Sequence, residues 1–336
     1  FSEKIGVPVY PFESPNFLPS AKNKQVNLVR SVAYNLFRLH KYLSSIRYIN
    51  RMIKETGADV VVNFYELLTG LTYLFCHPKA LMVCIAHQYL FLHPDFVFPG
   101  QNRLSLVSLK FFTRMTAIGA TKKLALSFRK MREVPSERIV VVPPLLRKEV
   151  LETTPVNGDY LHGYLLNSGF SEEIWSWHKV HPNVALHIFW DKKEVRPEVK
   201  VDSFLSFHQL NDTLFIRYMA GAKAYATTAG FESVCEAMYL GKPVLMVPTH
   251  IEQSCNAFDA VQAGAGVVAD RFDLDALLEL SRTHRPNPAF SHWVKQADWL
   301  ILREFRLDLL MEETPASLWR RLSTRWIYRL GKTLSI

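Results

Sequence analysis

The sequence predicts an α/β protein of two domains, each built on a largely parallel sheet. Three observations carry that expectation. Short β-branched or apolar runs alternate with longer segments of helical periodicity, as in βαβ units. The alternation stops near residues 143–158 and then restarts. The chain has 336 residues, more than the roughly 100–200 that one domain holds.

Taken in order, residues 1–20 are rich in proline and aromatics and read as loop, with a short strand at residues 7–10. Residues 26–55 carry Val29, Ala33, Phe37, Leu43, Ile46, Ile49 and Ile53 at helical spacing and stop at Gly57. Residues 59–64, DVVVNF, have the β-branched density of a strand buried in a parallel sheet. A helix-like segment follows, then a strand at residues 80–86, ALMVCIA, with His87 and Gln88 at its carboxyl edge. Residues 104–128 are apolar with interleaved Lys110, Arg114, Lys122 and Lys123, and a strand at residues 138–142 ends at Pro143 and Pro144. In the second half, strands are expected at residues 160–166, 185–190, 222–228 and 243–248. Helices are expected from Thr213, at residues 231–240 closed by Gly241, and at residues 254–263 closed by Gly264.

Composition narrows the function. Hydrophobic residues make up 49% and charged residues 21%, which excludes disordered and collagen-like chains. The 40 Lys and Arg exceed the 31 Asp and Glu, giving a net charge of +9 and an expectation of an anionic partner. Nucleic acid is not that partner: the basic residues lack RNP-like aromatics and finger or helix-turn-helix spacing. Cys76, Cys84, Cys235 and Cys255 form no CxxC and no zinc spacing, so no metal is expected and the compartment reads as reducing. No apolar run approaches the ~20 residues of a membrane span, and no signal peptide is visible. The chain opens on Phe1 rather than Met, which gives the expectation that it starts inside its first domain, without that domain's first strand or strands.

Ligands of open parallel sheets collect at the carboxyl ends of the strands. Three such ends in the second half are polar or glycine-rich: Asn167-Ser168-Gly169, Thr227-Thr228-Ala229-Gly230-Phe231-Glu232-Ser233, and Thr249-His250-Ile251-Glu252-Gln253. In the second, a glycine between strand and helix lets a ligand approach the backbone, and the helix's first turn offers unpaired N–H groups at its positive dipole end. That combination binds phosphate without a metal. Glu236, six residues after Gly230, is placed to accept hydrogen bonds from a ribose diol. The same residues also fit a packing glycine and a solvated glutamate.

The stretch GFESVCEAMYLGKPVLMVPTHIEQSCNAFDAVQAGAG at residues 230–266 resembles the donor half of GT-B nucleotide-sugar glycosyltransferases. It is most similar to the branch of the cell-wall lipid-intermediate glucosaminyl transferase and the UDP-sugar transferases. A glycine six residues before a glutamate, a Gly-x-Pro strand, and an acid-Gln pair shortly before Asn-Ala are the shared elements. The similarity covers residues 160–268 well. In the first half only DVVVNFYE and CIAHQYLFLHPD are similar to a bacterial subgroup of that superfamily.

The resemblance implies two Rossmann-like domains facing across a cleft: an acceptor-side domain at residues 1–150 and a donor domain at 151–290. Residues 291–336 are expected to return toward the first domain and to end in a basic amphipathic tail. It implies that Ser168 and Gly169 line the donor diphosphate, and that Gly230, Phe231, Glu232 and Ser233 present amides to it. Glu236 would hold the ribose, Glu252 and Gln253 the transferred sugar, and the main chain of His208, Gln209 and Leu210 the base, with Thr228 and His250 also on the donor side. Thr228 stands where retaining relatives show a glutamate, which implies inversion by one displacement. Such relatives keep their general base in a glycine-rich loop after the first strand, which this chain does not contain. The substitutes are His87 and Glu66, with Gln88 and Asp95 on the acceptor side. His87 equally fits a hydrogen-bonded structural histidine, and Glu66 a helix N-terminal acid favoured by the dipole.

The expected function is therefore transfer of a hexosyl unit from a UDP-sugar co-substrate to an acceptor hydroxyl, membrane-linked or on a small molecule, without metal or other cofactor. A GT-B-fold UDP-sugar 2-epimerase and a non-catalytic sugar-nucleotide-binding subunit are the alternatives. In the tail, Trp319, Leu322, Trp326 and Leu330 share one helical face and Arg321, Arg325 and Arg329 the other. That pattern suits a helix lying on an anionic bilayer, here the cytoplasmic face of a membrane, and also a helix docked on the protein with a solvated basic face.

Overall fold

The computed structural model describes residues 6–16, 28–100, 103–166, 168–192 and 196–306. The apolar stripe of the first periodic region folds as two helices, α1 (Leu28–Phe37) and α2 (Leu39–Thr56). Helix α2 turns Tyr42, Ser45, Ile46 and Ile49 inward and stops at Gly57, whose φ of 59° only glycine adopts cheaply. The chain continues through β1 (Val60–Asn63), α3 (Leu67–Cys76), β2 (Leu81–Ala86), a 3-10 turn at His87–Leu92, α4 (Arg103–Thr116), β3 (Lys122–Leu126) and β4 (Ile139–Val142). The four strands pair in chain order, all parallel.

Helices α3 and α4 touch through Gly70. A Cβ there would press into the Met115 carbonyl oxygen, far inside van der Waals contact. Alanine is the better helix former by about 1 kcal/mol, yet the backbone of α4 has nowhere to go. Gly70→Ala is therefore expected to destabilise the protein by about 1–3 kcal/mol, read as a lower urea midpoint at unchanged slope.

After a short helix, α5 (Lys148–Glu152), the second sheet begins. It comprises β5 (Tyr160–Leu165), α6 (Ser171–Val180), β6 (Ala185–Trp190), β7 (Glu198–Lys200), β8 (Leu205–Gln209), α7 (Asp212–Gly221), β9 (Ala224–Thr227), α8 (Phe231–Tyr239), β10 (Val244–Met246), α9 (Ile251–Gln262), β11 (Gly266–Val268) and α10 (Leu274–Thr283). Strand order is β11-β10-β9-β5-β6-β8-β7, parallel except for β7. Without the antiparallel edge strand this is the 3-2-1-4-5-6 order of a doubly wound nucleotide-binding sheet, with its topological switch between β5 and β9.

The last two described helices, α11 (Pro288–Val294) and α12 (Ala297–Arg303), contribute Phe290, Val294, Ala297 and Ile301 to one apolar cluster. That cluster also holds Leu124, Val140 and Val142 of the first sheet and Val234 and Met238 of α8. The other face of the second sheet buries Leu161, Ile188 and Leu245 under Ile174 and Leu277.

Several expectations need correction. No strand forms at residues 7–10, because Pro8 and Pro11 lack the N–H a ladder requires. Helix α9 starts at Ile251 rather than at residue 254. Strands β7, β8 and β11 were not anticipated; at three to five residues they are too short to show a period. Lys122 does not decorate a surface: it is buried in β3 and donates to Glu304 Oε2 at 2.8 Å. The tail with Trp319, Arg321, Arg325, Trp326 and Arg329 lies outside the described residues.

Candidate functional site

The switch between β5 and β9 brings two of the three polar strand ends together, with the third beside them at the end of β10. Ser168 is half-buried and Gly169 exposed, in a 3-10 turn after β5. After β9, Thr228 is buried, and Ala229 takes a left-handed φ of 65° that costs a residue with a Cβ about 1–3 kcal/mol. Gly230 is the N-cap of α8 in extended conformation. Helices α3, α7, α10 and α11 have side-chain caps, from Glu66, Asn211, Asp273 and Asn287. Helix α8 has none. The amides of Phe231, Glu232 and Ser233 meet no acceptor among the described residues. Glu232 is exposed and Ser233 half-buried, so this end of the helix is reachable from solvent.

The third strand end precedes α9. His250 is its N-cap residue without a side-chain cap bond, and burial lowers its pKa. Gln253 is buried, its Oε1 accepting from Thr249 N at 2.9 Å and Thr249 Oγ1 at 2.7 Å. Glu252 accepts from Gln88 Nε2 at 2.7 Å, and burial raises its pKa against that hydrogen bond. This bond joins the carboxyl end of β2 to the N-terminus of α9 across 164 residues. Loops at the carboxyl ends of both sheets therefore face each other.

His87 sits in the same seam, but not as a residue lining an open cleft. It is 3% exposed, stacks on Phe231 at a centroid distance of 3.9 Å, and meets Phe128 edge-on. Its Nδ1 is 2.7 Å from Leu126 O, so the Nδ1–H donates and the lone pair remains on Nε2. Burial lowers its pKa to about 4, and the ring is neutral at pH 7. Asn256 lies beside it, and one turn further along α9 Asp259 pairs with Arg129.

Glu66 is the N-cap of α3, accepting from Leu68 N at 2.9 Å and from Ser14 Oγ at 2.8 Å. Asp95 is exposed and bound by Arg132, a hydrogen bond that lowers its pKa. His208 and Gln209 belong to β8, where His208 is paired with β6 and β7 and Gln209 N donates to Pro197 O. Only Leu210 lies beyond the strand, exposed. No cluster of three or more His, Cys, Asp or Glu that could hold a metal occurs among the described residues, and none of their helices is long and apolar enough to cross a membrane. All four cysteines are free thiols.

Glu236 differs most from expectation. It is 3% exposed, and both carboxylate oxygens are held by Arg147, at 2.6 Å from Nε and 2.7 Å from Nη2. Sequence reading missed Arg147 altogether. It lies 89 residues from its partner and in no motif, so only the folded chain reveals it. Arg129 and Asp259 were missed for the same reason.

A family model described as "Glycosyl transferase family 1" matches residues 16–280. Over 111 residues the chain is 31% identical to the "Putative UDP-glucuronosyltransferase ugt-48" of Caenorhabditis elegans, a match covering 31% of this chain and 19% of that protein. The chain thus spans about a fifth of the length of this curated relative. Among solved structures, the glycotransferase of kitacinnamycin is similar at a TM-score of 0.56 and 14% identity, covering 93% of this chain and 88% of the other. LpCGTa, solved in complex with UDP, is similar at 0.51 and 13%, covering 84% and 82%. Two parallel sheets whose carboxyl-end loops meet, joined by returning C-terminal helices, make this the GT-B architecture, and the chain belongs to glycosyl transferase family 1.

Proposed function

We propose that the protein transfers a hexosyl unit from a nucleoside-diphosphate sugar to an acceptor hydroxyl, with inversion and with UDP as the leaving nucleotide. The observation that carries this reading is the first turn of α8, whose amides meet no acceptor among the described residues at the switch point of a doubly wound sheet. Departure of the nucleotide transfers negative charge to the diphosphate. Fixed amides and the helix dipole stabilise that charge without reorganising and without requiring a metal. UDP is favoured by the UDP complex of LpCGTa and the name of the partial worm relative. Thr228, where retaining relatives carry a glutamate, favours a single displacement.

Within this reading His87 is the proton acceptor, because its Nδ1–H bond to Leu126 O fixes the tautomer that leaves the lone pair on Nε2, and opening the seam would relieve the burial that lowers its pKa. The Phe231 ring must move aside for an acceptor to reach it. Gln88, bonded to Glu252, orients the acceptor from the other domain. The net charge of +9 supports an acceptor carried by an anionic lipid or membrane surface.

Titration calorimetry with UDP tests the donor site. Glu232 is exposed in the first turn, where proline is tolerated, so Glu232→Pro removes one amide and little packing. Glu232→Gln controls for the lost charge. The proline variant is expected to bind UDP at least about tenfold more weakly than the glutamine variant, the size of one charge-assisted hydrogen bond. Equal affinities, or a wild-type protein that binds no nucleoside diphosphate, would remove the reading.

A further inference from the structure

The geometry points to Arg147 as the side chain that meets the donor's diphosphate, with Glu236 as the positioning residue behind it; this rests on the donor reading above. Arg147 belongs to the segment between β4 and α5 that connects the two sheets. Its fork closes on both oxygens of Glu236, the bidentate arrangement that fixes a guanidinium most firmly. Of the two, the Arg147 side chain is 36% exposed and that of Glu236 5%. A ligand arriving here meets a cation, not the ribose-accepting carboxylate that the motif implies.

The position of that cation follows from helix geometry. Glu236 is in the second turn of α8, and helical Cα–Cβ bonds tilt toward the N-terminus. The carboxylate and its arginine therefore lie back toward the first turn, where the amides are unpaired. Nη1 of Arg147 forms an ion pair with Asp212 Oδ1 at 3.8 Å, too long for a hydrogen bond, and Glu149 adds a further negative charge nearby. The Nη1 N–H groups remain available to a phosphate oxygen.

A second observation lies beneath the same turn. Tyr225 Oη and Thr227 Oγ1 are buried and, among the described residues, meet no partner in close bonding geometry, with Ser233, Thr227, Glu236 and Tyr164 as the polar neighbours of the tyrosine hydroxyl. Unsatisfied buried hydroxyls are rare in folded proteins and mark places where a ligand or water completes the set. Cation and amides together suit a diphosphate. Because Glu236 already holds the guanidinium in place, binding costs little additional side-chain entropy.

The test is calorimetric titration of the full chain with UDP and with uridine. Arg147→Ala is expected to lose UDP affinity about tenfold or more, or 1.4 kcal/mol at that limit, while uridine affinity stays unchanged. Since alanine leaves Glu236 buried without its partner, the double variant Arg147→Gln/Glu236→Gln, which keeps a neutral hydrogen-bonded pair, provides a second measurement and should show the same selective loss. Unchanged UDP affinity in both variants overturns the proposal. Tighter uridine binding in Arg147→Ala also overturns it, because Arg147 would then be a plug over a ribose-binding carboxylate. A wild-type protein that binds neither UDP nor any other nucleoside diphosphate sinks the donor reading itself, a distinct result.

Discussion

Between pH 6.5 and pH 4.5 the protein is expected to lose about 4–5 kcal/mol of folding stability through two buried histidines. His87 and His162 have pKa values lowered by burial to about 4 and about 3. Each titrates near 6.5 when unfolded. Below that value the unfolded chain takes up protons that the folded chain refuses, so each group removes about 1.4 kcal/mol per pH unit until its folded pKa is reached. His187, lowered by burial to about 4 and then by the neighbouring His208, acts in the same direction from a half-buried position. Glu252 and Asp259 oppose the trend, because burial raises their folded pKa values and their protonation favours the folded state as pH falls.

A loss of that size approaches the whole stability of many domains. Urea midpoints followed from pH 7 to pH 4.5 measure it. His162 is packed among Phe189, Phe215 and Tyr225, so His162→Phe keeps the packing and removes one titrating group. Its pH dependence should be shallower by about 1.4 kcal/mol per unit. A flat profile in the wild type between pH 7 and pH 5 would contradict the argument.

Arg129→Met is expected to cost about 3–5 kcal/mol, the second large effect. Arg129 follows β3 in the first domain, and its guanidinium is bonded to Asp259 on α9 of the second. The Asp259 side chain is fully buried, and its Oδ2 has no partner in bonding geometry. Methionine preserves the apolar stem but leaves a carboxylate with no compensating charge in the seam. Burial already raises the pKa of Asp259 against the pull of Arg129, which shows how costly its charge is there. Replacing both members, Arg129→Met with Asp259→Leu, should recover most of the loss, because removing a buried pair whole costs far less than breaking it. Denaturation of the two single variants and the double variant closes the cycle. A single-variant loss below about 1 kcal/mol would mean that water reaches Asp259.

The seam explains why these effects are concentrated in one place. His87, Gln88 and Arg129 of the first domain meet Phe231, Glu252 and Asp259 of the second. Each half of such a contact looks ordinary in isolation. A histidine at a strand end, an arginine after a strand and an aspartate on a helix carry no signal of their partners. His87 illustrates the consequence: sequence placed it beside a cleft, whereas the ring is stacked and hydrogen-bonded inside a closed interface.

Local chemistry was enough for most of the elements and for the family resemblance. Alternating β-branched runs and helical stripes gave two largely parallel sheets, Gly57 and Gly241 gave helix ends, and the Gly230 turn with its glutamate gave a helix start without a side-chain cap and a family resemblance. Those features depend on residues within a few positions of one another, where backbone geometry and periodicity act. Only the tertiary structure decided what faces the ligand. It turned Glu236 inward onto Arg147, made Glu66 a helix cap, and left Asp95 in a surface ion pair. A side chain's partner and its access to water depend on which distant segments pack beside it, and hydrophobic burial of two sheets and their returning helices fixes that, not any local pattern.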